Sequence, residues 1–221
     1  MKLHLPLQII TIMAVSTPIL TNAQLYTTAT IGGVPSVSGA TLETLNEPSP
    51  PFLTLSGGAN LVTGSAGGSF AAPFFSGSTA AFFGESPAFG ADGTQYVVVG
   101  STAKATFSFP SSQNYFGLLC GSLDADNSLT FYDTANNVIG TVYGSTIPPV
   151  TYYGDQGVGG TFYINITSTI PFSKVEASNS GDSTEFDDVA YAMVVPEPTS
   201  SALIGAGLCT VAALGLRRRF D

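Results

Sequence analysis

Between residues 24 and 195 the chain has no long stretch with apolar residues at helical spacing. It offers short β-branched and aromatic runs, broken by Gly, Asn, Asp, Ser and Pro. Such a chain can bury a core only by pairing strands. Ala103, Ala105, Phe107 and Phe109 alternate with Lys104, Thr106 and Ser108, a period of two with one face buried. Phe162, Ile164 and Ile166 alternate in the same way with Tyr163, Asn165 and Thr167. Further strands are expected at 25–31, 96–100, 115–121, 128–132, 138–143, 174–177 and 185–195. Asp133-Thr134-Ala135-Asn136-Asn137 supplies a hairpin connection rich in residues that tolerate the left-handed region. Many short strands joined by turn clusters predict an all-β fold, an antiparallel β-sandwich that is jelly-roll-like, with a closed barrel as the alternative. Irregular strand lengths speak against an outer-membrane barrel.

The stretch 46–94 is less regular, opening on Asn46-Glu47-Pro48-Ser49-Pro50-Pro51 and continuing rich in Gly, Ser, Ala and Phe. Its phenylalanines are expected to plug the core from long loops, with an exposed aromatic surface as the other reading. No repeat period is visible, so a solenoid is not supported.

The two ends differ from this body. Residues 1–23 begin with Lys2 and His4, run apolar from Leu5 to Val15, and close on Thr21-Asn22-Ala23 before Gln24. This is the order of a secretory signal peptide, whose apolar core is too short and too interrupted by Pro6 and Pro18 for a membrane span. At the other end, residues 200–216 carry no charge and are followed by Arg217-Arg218-Arg219. Seventeen helical residues at ~1.5 Å each reach about 26 Å, enough for a C-terminal transmembrane helix, and the arginines would stay on the cytoplasmic side. The expected organisation is therefore a signal peptide (1–23), an extracytoplasmic β-domain (24–195) and a tail (196–221).

Pro196, Glu197 and Pro198, the charge-free helix and the cluster Arg217, Arg218 and Arg219 together resemble the PEP-CTERM sorting signal of bacteria that make exopolysaccharide. The resemblance implies that an exosortase recognises the tail, that the inner membrane holds residues 200–216 until processing, and that the body reaches the cell surface or the medium. The run Tyr115 to Asp133 and the closing Phe186-Asp187-Asp188-Val189-Ala190 also resemble a recurrent piece of PEP-CTERM surface proteins. That second likeness supports the fold more than any activity.

Composition narrows the chemistry. The chain's fifteen carboxylates less Glu197 and Asp221 leave thirteen in the body, against Lys104 and Lys174, a balance of −11. Nucleic acid is thereby excluded as a partner, and acidic polysaccharides are repelled unless a divalent cation bridges them. The sole histidine is His4, so Ser-His-Asp and Cys-His catalysis and the usual zinc sites are ruled out of the body. Cys120 lies in an apolar run, where a buried inert thiol is expected, and it has no partner for a disulfide within 24–195.

Two acidic groups are candidate calcium ligands: Asp124, Asp126 and Asn127 in one turn, and Asp182, Asp187 and Asp188 around the last strand, with Glu185 between. Calcium takes six to eight oxygens in flexible geometry, which Asp-rich turns supply, although solvated turn carboxylates need no metal. Tyr132, Tyr143, Tyr152, Tyr153 and Tyr163 are available to stack on sugars, while tryptophan is absent. No spacing selects a pair of carboxylates for glycoside hydrolysis. The body is read as a non-catalytic surface or matrix protein of an exopolysaccharide layer or biofilm. The alternatives are a calcium-assisted carbohydrate-binding module and a secreted polysaccharide hydrolase.

Overall fold

The computed structural model describes residues 23–147 and 154–194. The segments expected to form a signal peptide (1–23, of which only Ala23 is described), a sorting motif at Pro196–Pro198, a helix at 200–216 and an arginine cluster lie outside the described residues. Tyr152 and Tyr153 do too. Among the described residues no helix is long and apolar enough to cross a membrane.

The body is all-β and antiparallel. Its strands are β1 (Leu25–Thr30), β2 (Thr41–Glu43), β3 (Leu53–Ser56), β4 (Asn60–Thr63), β5 (Phe74–Phe75), β6 (Gly90–Ala91), β7 (Gln95–Val99), β8 (Lys104–Gly121), β9 (Ser128–Tyr132), β10 (Val138–Tyr143), β11 (Phe162–Ser178) and β12 (Thr184–Ala192). A five-residue helix, α1 (Thr79–Phe83), sits between β5 and β6.

Two long strands organise everything else. β8 and β11 pair along their length, but their register breaks in the middle, between Thr167 and Lys174 on β11. Pro110 and Pro171 fall in this break, where a residue with no N–H to donate removes least from the ladder. On one side of the break β11 pairs β9 and β8 pairs β3. On the other side β11 pairs β1 and β8 pairs β12, which in turn pairs β7 and β2. One continuous sheet thus folds into two layers, A (β3, β8, β11, β9, β10) and B (β1, β11, β8, β12, β2, β7, β4). The break explains why the sequence reads each long strand as two: 103–109 with 115–121, and 162–167 with 174–177.

Between the layers lies an aromatic core. Phe107 meets Phe116 at 5.3 Å and Phe186 at 5.6 Å between ring centroids. Phe131 meets Phe172 at 5.0 Å. Truncating a buried ring of this kind costs about 3–5 kcal/mol, so these contacts fix the sandwich. The alternation expected at 103–109 is present: Ala105 and Phe107 are buried, Lys104 and Ser108 exposed.

At 162–166 the alternation fails, because both faces are covered. Ile164 and Ile166 face the main core, while Tyr163 joins Phe75, Ala80 and Leu119 in a second, smaller cluster. The cover is the irregular segment between β4 and β7, which packs α1, β5 and β6 against the outer face of layer B. Its phenylalanines divide accordingly: Phe75 is buried and Phe83 packs against the small cluster, whereas Phe82 and Phe89 are exposed, Phe89 by 66%. Gly32 and Gly77 make the close approach that seats this cover. Each has a positive φ, and a Cβ on either would meet backbone atoms within 2.8 Å. The expectation of loop phenylalanines in the core holds for Phe75 and in part for Phe83, and not for Phe82.

Candidate functional site

At one end of layer B the end of β8, the turn before β12, the loop at 68–70 and residues 154–156 enclose a cleft of about 280 Å³. Small-molecule sites begin near ~300 Å³, so the cleft suits a small polar unit. It is lined by the carboxylates of Asp124, Asp182 and Glu185, the hydroxyls of Ser122 and Ser183, the Gln156 amide and the Phe70 ring. Among the described residues no lysine or arginine faces it.

Local structure places each group. Asp124 opens a tight turn, in which its backbone N–H donates to Asn127 Oδ1 at 2.8 Å and its carbonyl accepts from Asn127 N–H at 3.3 Å. The short helical turn Gly144–Thr146 docks on that turn: Gly144 N–H donates to the Asn127 carbonyl at 2.8 Å, and Ser145 N–H to the Ala125 carbonyl at 3.1 Å. Burial raises the Asp124 carboxyl above its ordinary range, and the charges of Asp126 and Asp182 add to the rise. Glu185 is buried on β12. Its Oε2 accepts from Ser122 Oγ, and its Oε1 accepts from Ser183 Oγ at 2.7 Å and from Ala71 N–H at 3.4 Å. Desolvation raises the Glu185 carboxyl too, and these donors oppose that rise.

The six candidate cation ligands do not form one group. Asp124, Asp126, Asn127 and Asp182 gather at the cleft corner, where Ser180 Oγ donates to Asp126 Oδ2 at 3.2 Å. Asn127 is a turn residue, its Oδ1 already holding the Asp124 N–H. Asp187 and Asp188 lie elsewhere, under the cover of layer B. There they meet two residues that no sequence spacing marks, Glu85 and Asp92.

In that second place one oxygen from each of Glu85, Asp92 and Asp187 lies within 4.8 Å of the others. Asp187 is paired with Leu119 across β8, on the outer face, and Asp188 follows with a φ of 51° at a bulge in the same ladder. The bulge lets two consecutive carboxylates enter one region. Both are wholly buried. Asp92 is held by Thr94, whose N–H and Oγ donate to its Oδ1 at 2.7 and 2.5 Å. Glu85 Oε1 accepts from Asn46 Nδ2. Burial raises the Glu85 carboxyl to about 7, with Asp92 adding to it. Burial raises Asp188 to about 9, the charges of Glu85 and Asp92 contributing, and it raises Asp187 as well.

The tyrosines fall out differently from expectation. Tyr163 is sealed under α1, Tyr132 carries Lys174 Nζ at 3.9 Å from its ring centre, and Tyr143 stands exposed. The ring that lines the cleft is Phe70, which composition alone does not single out. Asn165, in a glycosylation-like triplet, is buried and bonded to Tyr115 Oη at 2.6 Å and Ser36 N–H at 2.7 Å, so its role is structural. Cys120 is buried and its thiol is pushed up to about 12, as an inert core residue would be.

No family model and no curated protein matches the chain. Among solved structures it is similar to a family 6 carbohydrate-binding module from Clostridium stercorarium in complex with cellobiose. The identity is 13%, covering 72% of this chain and 100% of that one, with a TM-score of 0.36. It is also similar to the C-terminal family 22 carbohydrate-binding module of Clostridium thermocellum Xyn10B (14% identity, 74% and 100% covered, TM-score 0.30). A third likeness is to the catalytic domain of a GH87 alpha-1,3-glucanase in complex with nigerose, at 15% identity over 67% of this chain and 29% of that one, with a TM-score of 0.32.

Proposed function

We propose that the chain is an exported, non-catalytic polysaccharide-binding domain of the bacterial surface, with the Asp124–Asp182–Glu185 cleft as its binding site. The observation that carries this reading is the composition of the cleft: a concavity of about 280 Å³ in which the described residues offer oxygens and an amide around the Phe70 ring and no basic side chain. Sugar hydroxyls donate to carboxylates and accept from amides and hydroxyls, and a pyranose face packs on a ring. The unopposed negative charge selects neutral or amino-bearing sugars and turns away uronic acids.

Binding without turnover is favoured by Glu185. A glycosidase needs a carboxyl free to pass a proton to the glycosidic oxygen. Both Glu185 oxygens are committed to Ser122, Ser183 and Ala71, which makes the group a fixed wall of the cleft. Export and sorting through the tail rest on the sequence of the two ends, read as a signal peptide and an exosortase substrate.

The test is affinity electrophoresis of the protein in gels cast with neutral, amino and uronic polysaccharides. Neutral or amino polymers should retard the protein, uronic ones should not, and Asp182→Asn together with Gln156→Ala should weaken the retardation about tenfold. Equal mobility in every gel, or retardation unchanged by both substitutions, would sink the reading. Release of reducing sugar would make the protein an enzyme.

A further inference from the structure

Away from the cleft, the geometry points to a calcium site formed by Glu85, Asp92, Asp187 and Asp188, an ion that ties the 84–94 loop to β12. The site stands independently of polysaccharide binding, since none of its residues lines the cleft.

Charge is the first reason. Four carboxylates meet under the cover of layer B, and two of them are fully buried. A buried carboxylate that lacks a counter-charge is strongly disfavoured. The body has two basic residues, and neither can help. Lys104 is engaged with Glu176 at 2.7 Å, and Lys174 lies over Tyr132; both belong to the layer A halves of their strands. Among the described residues no basic side chain compensates the cluster, which leaves a proton or a cation to neutralise it.

Unmet oxygens are the second. Glu85 Oε2, Asp92 Oδ2 and both oxygens of Asp187 and of Asp188 are buried without a hydrogen-bond partner, six in all. Carboxylate lone pairs left in this state on a fully buried side chain are rare in folded proteins. Asp92 Oδ1 is satisfied by Thr94 and Glu85 Oε1 by Asn46, so these two side chains are each anchored by one oxygen and present the other, while Asp187 and Asp188 present both.

Geometry then selects the ion. Oxygens on opposite sides of a calcium ion, each at about 2.4 Å, are at most ~4.8 Å apart. One oxygen from each of Glu85, Asp92 and Asp187 meets that limit with the others. The three converging oxygens are all from carboxylates, the hard ligands that calcium gathers in a shell of six to eight. Magnesium dehydrates reluctantly and keeps several waters, and zinc prefers nitrogen and sulfur. A dry cluster of hard oxygens answers to calcium.

The experiment uses the full-length chain with its tail in mild detergent, stripped with a chelator, dialysed and melted with increasing calcium. Calcium at a hundredfold excess over its dissociation constant should raise the midpoint by roughly 5–10 °C. Magnesium at the same concentration should give less than half that shift. Terbium titration, read through tyrosine excitation, should saturate at one ion per chain and be reversed by calcium. Asp187→Asn and Asp92→Asn should each abolish the calcium shift, while Asp182→Asn, in the cleft corner, should leave it intact. Either variant that fails to fold is replaced by Glu85→Gln, read by terbium alone. An unchanged midpoint in calcium, an equal shift in magnesium, or loss of binding in Asp182→Asn but not in Asp187→Asn would overturn the site. Loss of polysaccharide retardation with the calcium shift intact would speak only against the cleft.

Discussion

Asp187 lies directly across the β12–β8 ladder from Leu119, so a carboxylate shares a water-free face with a leucine. In the absence of a cation that pairing is unfavourable, and the Asp187→Asn variant exposes it. Asparagine keeps the shape and removes the charge. In chelator the variant should melt above the wild type; in saturating calcium it should melt below. The two melting curves measured under both conditions must therefore exchange order. A variant that is less stable in chelator as well would mean that Asp187 is satisfied by the protein itself.

The same group of carboxylates sets a pH dependence. Unfolded, Glu85 titrates near 4.5 and Asp188 near 3.8; in the fold burial moves them to about 7 and about 9, and Asp187 rises too. The groups facing one another here are Glu85, Asp92, Asp187 and Asp188, with the Tyr163 hydroxyl beside Asp188. Folded pKa values above the unfolded ones mean that the native state binds more protons, so stability falls as pH rises through this interval. Metal-free protein should lose thermal stability from about pH 5 to about pH 8, and calcium should reverse the slope by competing with protons. Melting scans across that range in chelator and in calcium test both halves. A metal-free midpoint that climbs with pH contradicts the buried charges.

How much of this was legible from residues alone depends on the range of the signal. β9 and β10 have the expected bounds, Ser128–Tyr132 and Val138–Tyr143, because alternation and an Asp-Asn-rich turn are local. β8 and β11 read as broken strands because Pro110 and Pro171 mark a real break in pairing, though not in the chain's extended path. β2, β3 and β4 are short strands among turn residues, too brief for a period to show. The acidic centre was half visible. Asp187 and Asp188 stand out as neighbours, but Glu85 and Asp92 lie roughly a hundred residues upstream in an irregular loop, and only the fold-over of that loop brings them near. Asp124 and Asp182 do converge, though with Glu185 and Phe70 in a cleft and apart from Asp187.

Cys120 should not react while the protein is folded. Its thiol is buried between Leu119 and Gly121, its pKa is raised to about 12 by desolvation, and the thiolate is the reactive form. An aromatic disulfide reagent at neutral pH should label it only after denaturant is added, with a rate that follows unfolding. Labelling within minutes in native buffer would show that the region around the β8 end opens readily.

Gly144 joins the cleft to the rest of layer A, and a single methyl group there should undo the join. A Cβ at Gly144 would stand 1.9 Å from the Asp124 carbonyl oxygen, a backbone atom that cannot swing aside. The Gly144–Thr146 turn and the Asp124–Asn127 turn would have to part, breaking the bonds from Gly144 to Asn127 and from Ser145 to Ala125. Overpacking of this kind costs typically 1–3 kcal/mol, and more where backbone meets backbone. Gly144→Ala should therefore shift the urea midpoint downward and weaken polysaccharide retardation, because Asp124 moves with its turn. The calcium-dependent gain in melting temperature should survive, since Glu85, Asp92, Asp187 and Asp188 take no part in the bonds between the two turns. Loss of both responses together would tie the cleft and the acidic centre into one cooperative unit, and retention of both would show that the turn has room the present packing does not display.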